Sequence, residues 1–220
     1  MVPAQPSKEG DLPRGKLALT MDPRVYSQKL PEIKLPHKRI LGLDLASSCG
    51  ATFCDVVPGT LVTESLLYGG QWDLSVSKHD TNSLRYVRLK QFLYVTQPAL
   101  IFYEEVKFTG QAAPPGMRRN IQALIARAVV GAQVVQGLCA VLTTWCEEND
   151  VPCEAIPIGT LKKYGTGKGN ANKKDMIRSC NARFGTDFEA DDYEHTGVDN
   201  IADSMFLCAM GVQHYSEGIA

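Results

Sequence analysis

Long apolar runs are missing from this 220-residue chain. No stretch of about 18 or more consecutive apolar residues occurs, so no membrane span and no membrane partner is expected. The opening residues, MVPAQPSKEGDLPRGK, lack the apolar core of a secretory signal. The seven cysteines (Cys49, Cys54, Cys139, Cys146, Cys153, Cys180 and Cys208) contain no C-x-x-C pair, are odd in number and are scattered, which argues against a disulfide framework or a zinc knuckle. Reduced, partly buried thiols in a cytoplasmic protein are expected instead, with no cysteine nucleophile. A charge surplus is lacking too. Lys and Arg number 23 against 24 Asp and Glu, a net charge of −1 that at first argues against a nucleic-acid partner. What is present is a globular composition, 44% apolar and 21% charged, which excludes wholesale disorder.

Residues 1–38 hold six of the twelve prolines, together with Lys8, Arg14, Lys16, Arg24, Lys29, Lys34 and Lys38. This reads as an extended or disordered basic leader, either a solvated tail or an accessory DNA-contacting arm. The ordered domain is expected over 39–220. RILGLDLA has strand composition, and 50–57 reads as its hairpin partner with Ser47, Ser48 and Cys49 turning between them. TLVTESLLYGG offers a third strand. Residues 81–97 carry helical spacing up to Pro98, and ALIFYEEV follows as a buried-type strand. Residues 118–148 are helical in composition, CEAIPI is a fifth strand, and TLKKYGTGKGNA reads as a Gly/Lys loop. NKKDMIRSCNARF and 198–214 form the last two helices. The order predicts an α/β domain around a mixed five-stranded sheet flanked by helices, without internal repeats.

Three acidic sites interrupt apolar elements: Asp44 within ILGLDLA, Glu104 and Glu105 ending ALIFYEEV, and Asp199 with Asp203 opening an apolar helix. A carboxylate in such surroundings is costly unless it is paired or bound to a metal. Several can coexist by sharing hard divalent cations, and Mg²⁺ suits oxygen ligands while retaining water and phosphate oxygens. Two such ions can activate water and stabilise the leaving oxygen of a phosphodiester. Glu104 and Glu105 point to opposite faces of their strand, so at most one faces Asp44. Asp199 can serve as a helix N-cap. Asp203, four residues on, lies on the same helix face as Asp199, and Asn200 reaches that face as well.

With these residues in place, the chain from about Arg39 to His214 resembles the RuvC-like Holliday-junction resolvases, particularly those encoded by bacteriophages. The resemblance rests on ILGLDLA, FYEEV and DNIADSMFL, with IGTLKKYGTGKGNANKK lying before the last of these. It implies an RNase H-like fold, a homodimer and Mg²⁺-dependent nicking of a four-way DNA junction, with two ions per site and Mn²⁺ as a substitute. By position it implies Asp44, Glu104 and Asp203 as metal ligands, with Glu105 the alternative to Glu104. Asp199 or Asn200 would complete the set, Asp199 being the charged candidate. Lys162 and Lys173 match lysines near the scissile strand, Lys173 with a catalytic part, and Lys163, Lys168 and Lys174 add DNA-binding charge beside them. The setting implied is phage DNA processing in a bacterial cytoplasm.

Other readings are separable. GTGKGN lacks the G-x-x-x-x-G-K-[ST] frame of a P-loop, and no dinucleotide fingerprint follows the first strand. An RNase H-like nuclease acting on RNA–DNA hybrids or flaps, and a catalytically silent junction-binding module, stand as alternatives. The alanine-rich stretch 123–137 is either a dimer surface or buried in its own monomer. The net charge divides by region: +4 over 1–39, +6 over 155–186 and −7 over 187–203. A basic surface beside an acidic segment is the polarity a metal-dependent nuclease needs.

Overall fold

A computed structural model describes residues 20–21, 37–57, 67–106 and 119–217. Most of the leader and the segments 58–66 and 107–118 lie outside the described residues. In chain order the elements are β1 Thr20–Met21, β2 Lys38–Asp44, β3 Ser48–Val56, β4 Tyr68–Asp73, α1 Leu84–Thr96, β5 Leu100–Glu104, α2 Arg119–Glu148, β6 Cys153–Ile156, α3 Ile158–Thr166, α4 Lys173–Phe184, α5 Tyr193–Thr196 and α6 Val198–Ser216. Five strands form the expected mixed sheet, and the two-residue β1 extends one edge, giving the order β1-β4-β3-β2-β5-β6. β2, β3 and β4 make the antiparallel meander, whereas β5 and β6 run parallel to β2.

The period-two alternation of strands explains how both faces of the sheet become core. Ile40 of β2, Cys54 and Val56 of β3, and Leu100 and Phe102 of β5 pack with α4 and α6. The intervening residues, Leu41 and Leu43, Ala51 and Phe53, and Ile101, pack on the other face with α1 and α2. Arg39 shows the cost of a charge within such a sandwich. It is 1% exposed, and its guanidinium donates to both Asp55 carboxylate oxygens at 2.7 and 2.8 Å and to the Thr96 carbonyl.

α6 sits unusually close to the sheet. A Cβ on Gly42 would strike the backbone of Ser204 and Cys208, and one on Gly50 would strike the Asn200 carbonyl. Only glycine permits that approach. Thr52 and Ser204 exchange a hydroxyl hydrogen bond of 2.7 Å across the same seam.

Three local expectations need correction. The turn after β2 is Leu45–Ser47, because Ser48 and Cys49 already pair with Asp73 and Trp72. The third strand runs over Tyr68–Asp73 rather than ending at Gly70; Gly69 is accommodated because Thr52 and Met205 fill the space above it. Residues 160–166, expected in a loop, belong to the helix Ile158–Thr166, and the strand before it ends at Ile156. Leu161 is fully buried and Gly165 rests against Phe206, so tertiary packing overrides the glycine content. The loop is only Gly167–Asn172. The cysteines are all free, with Cys49, Cys54, Cys146, Cys180 and Cys208 buried, and burial pushes the Cys54 and Cys180 thiols up to about 12.

α2 qualifies the membrane expectation. Ala128–Glu148 has the length and mean hydropathy (1.5) to cross a membrane, although Gln133 and Gln136 interrupt its apolar run. Only 22% of that window is buried, and its C-terminal half packs on the sheet through Leu138, Leu142 and Trp145. From 126 to 136 the described side chains are exposed or half-buried, with Val130 58% exposed.

Candidate metal centre and its basic flank

The alternation that builds the core also aims the acids. Asp44 follows Ile40 and Gly42 on the α6 side of β2, and Glu104 follows Leu100 and Phe102 on the α6 side of β5. β2 and β5 pair in parallel with Ile40 opposite Leu100 and Leu43 opposite Tyr103; continuing this register sets Asp44 beside Glu104. Glu105 falls on the other side, where its charge acts on Tyr103 and its N–H donates to the Ile156 carbonyl at 2.8 Å. From above, α6 contributes Asp203, one residue before the Ser204 that is locked to Thr52. Ligand atoms of Asp44, Glu104 and Asp203 all lie within 4.8 Å of one another.

Such crowding is electrostatically unfavourable. Burial, followed by repulsion from Glu104 and Asp199, pushes Asp203 up to about 7. Burial, then Glu104, Asp203 and Asp199, pushes Asp44 well above the usual carboxylate range. Burial also raises Glu104, against the pull of Lys162 and Lys173. Asp203 Oδ1 is buried with no hydrogen-bond partner among the described residues. An all-oxygen set with an orphaned, inward carboxylate oxygen fits a hard divalent cation, which would supply the missing partner and offset the repulsion.

Asp199 stands apart from the three. It occupies the second position of α6, after the cap at Gly197, so it is not the N-cap residue. Its Oδ2 accepts from Lys173 Nζ at 2.5 Å. The Asn200 side-chain amide donates to the Ser48 carbonyl at 2.7 Å, tying α6 to the start of β3.

Of the five expected DNA-binding lysines, the structure brings two to the centre. Lys162, on α3, lies near enough to lower both Glu104 and Asp203, and Lys173 opens α4 beside Asp199. Lys163 and Lys168 are exposed at the end of α3 and in the following loop. Lys174 turns to Asp191 at 2.6 Å. Sequence reasoning missed Tyr193, whose ring centroid lies 5.3 Å from Lys173 Nζ; nothing in its acidic surroundings marks it. It also passed over Asn172, whose side chain accepts from the Asp175 N–H and so fixes Lys173 as the first residue of α4.

No protein-family model matches the chain, and no curated protein matches it by sequence. Solved structures do. Thermus thermophilus RuvC in complex with a Holliday junction substrate is 20% identical with a TM-score of 0.51, covering 83% of this chain and 95% of its own. The chain has a RuvC-like fold. A second T. thermophilus RuvC structure (14% identity, TM-score 0.48) covers 82% of this chain and 95% of its own. The yeast mitochondrial Holliday junction resolvase (14% identity, TM-score 0.49) covers 89% and 87% respectively. Within the RuvC-like fold, the acids stand where β2 and β5 end beneath the first turns of α6.

Proposed function

We propose that the protein is a divalent-metal-dependent, structure-selective endodeoxyribonuclease that resolves four-way DNA junctions by paired phosphodiester hydrolysis. The observation that carries this reading is the convergence of Asp44, Glu104 and Asp203 within 4.8 Å, with Lys162 and Lys173 at its edge. The likeness to a RuvC bound to a Holliday junction supports the choice of substrate.

Asp44, Glu104 and Asp203 would hold the cation, with Mg²⁺ the physiological choice, two ions per site and Mn²⁺ as a substitute. When bound, the metal supplies an activated water and charge neutralisation at the phosphate. The chain's own residues do the rest. β2 and β5 fix two carboxylates on rigid strands, and the seam of Gly42, Gly50 and the Thr52–Ser204 pair holds the third in register. Lys162 and Lys173 offer ammonium groups to phosphate oxygens that the carboxylate centre does not reach, while Lys163, Lys168 and Lys174 extend the basic flank along the DNA backbone.

A homodimer joined through the exposed apolar stretch 128–136 of α2 would set two such sites about a two-fold axis, matching paired incisions. Phage DNA processing in a bacterial cytoplasm is the setting proposed. The deciding experiment compares cleavage of a four-way junction, linear duplex, flap and RNA–DNA hybrid at one salt and Mg²⁺ concentration. Selective symmetric nicking of the junction is expected. Preference for the hybrid would overturn this reading in favour of an RNase H-type activity.

A further inference from the structure

We infer that Asp199 is the positioning residue for Lys173, in a clamp completed by the Tyr193 ring, rather than a fourth ligand of the carboxylate centre. This inference rests on the nuclease reading above. Asp44, Glu104 and Asp203 share one small volume, and Asp199 is not in it. Its carboxylate is instead committed to Lys173 Nζ at 2.5 Å.

The burial is asymmetric. The Asp199 side chain is 9% exposed and the Lys173 side chain 58%, so a fixed anion holds a lysine that reaches it from solvent. Tyr193 supplies a second restraint through its ring face, 5.3 Å from the ammonium. Asn172 supplies a third by capping α4, which fixes the Lys173 backbone.

These restraints come from neighbouring elements. Tyr193 opens α5 and Asp199 lies in the first turn of α6, with Gly197 between them at φ 66°. A lysine would otherwise sample many rotamers, and ordering it before the substrate arrives removes that cost from the reaction. The held ammonium stands close enough to Asp44, Glu104 and Asp203 to attract all three carboxylates. It therefore borders the space where a phosphate would meet the centre.

The test measures three quantities on the full chain and its variants: Mn²⁺ binding by calorimetry, the rate of Lys173 acylation by an amine reagent followed by mass spectrometry, and junction cleavage. Asp199→Asn is expected to bind Mn²⁺ within about threefold of the parent, to acylate faster at Lys173, and to lose about 10- to 100-fold in kcat with little change in KM. Asp203→Asn is expected to lose Mn²⁺ binding. Tyr193→Leu should lower kcat, and Tyr193→Phe, which keeps the ring face towards the ammonium, should recover most of the loss. Should Asp199→Asn fail to fold, the Tyr193 pair with Lys173 acylation carries the comparison. Mn²⁺ binding weakened by Asp199→Asn as strongly as by Asp203→Asn would make Asp199 a ligand and overturn the inference. So would unchanged acylation and cleavage. A parent protein without metal-dependent junction cleavage would sink the nuclease reading, while Mn²⁺ binding and acylation would still decide the clamp.

Discussion

The sheet is closed on its two faces by helices of opposite character. On one face α6 lies so near the strands that Gly42 and Gly50 have no room for a Cβ, and Phe206, Leu207 and Cys208 are fully buried. On the other, the N-terminal half of α2 leaves Val130 58% exposed, and a Cβ at Gly131 would meet nothing within 4 Å. Both helices are apolar, so composition does not separate them. What separates them is the site: three carboxylates must stay within a shared volume despite repelling one another, and only the close-packed face can hold them. The looser face carries apolar surface and none of the proposed site residues.

The largest effect should come from breaking the close-packed face at its chemistry. Asp44→Asn and Asp203→Asn are each expected to lower Mg²⁺-dependent junction cleavage by roughly 10³-fold, while junction binding in a mobility-shift assay is retained. Equal cleavage by either variant would remove that residue from the centre. Next in size is the spacing itself. Gly42→Ala places a methyl against the α6 backbone and should destabilise the fold by about 1–3 kcal/mol, read from the urea midpoint. It should also impair metal binding, since the strand and α6 carry different ligands.

How far this division could be read from residues alone depended on the range of the interaction. Asp44 and Asp203 stood out because each interrupts an apolar element, a local signal. The choice of Glu104 over Glu105 needed the parallel register of β5 on β2, which a crossover sets and no local pattern records. The pairing of Asp199 with Lys173 was not legible, because the two are 26 residues apart. α3 read as a loop because glycine and lysine dominate it, whereas the burial of Leu161 that holds it helical is a tertiary fact. The stretch 123–137 left dimer surface and monomer burial open, since an apolar helix looks the same in either case.

Titration sharpens the contrast further. Asp203 is raised to about 7 in the folded protein, above its ordinary 3.8, so the folded state binds that proton more tightly. The associated stability is complete below the ordinary value and is lost as pH rises through about 7. Metal-free protein should therefore melt at lower temperature at pH 8 than at pH 6, with a slope of up to about 1.4 kcal/mol per pH unit for one proton. Mg²⁺ favours the ionised acids, so its stabilisation should be larger at pH 8. A metal-free melting temperature flat across this range would mean that Asp203 is not raised by its neighbours.

The loose face gives smaller effects. Val130→Glu puts a charge into the exposed apolar strip of α2 and should weaken self-association by about tenfold, read by light scattering across a dilution series. A single incision in a junction should be affected less than the paired incisions, because the three carboxylates come from one chain.

Gly131→Ala is the mildest probe and the most discriminating about what covers α2. Glycine in a helix interior costs about 1 kcal/mol relative to alanine, through backbone entropy, and here the added methyl has open space in the monomer. The variant should therefore gain about 0.5–1 kcal/mol in the urea midpoint at concentrations where the protein is monomeric. At higher concentrations, if the proposed homodimer forms, the same methyl reports on the approach of a second chain. A retained gain means that the partner helix passes elsewhere on α2. A gain that turns to a loss with increasing concentration means that two helices meet at Gly131, using the absent side chain as Gly42 is used on the opposite face.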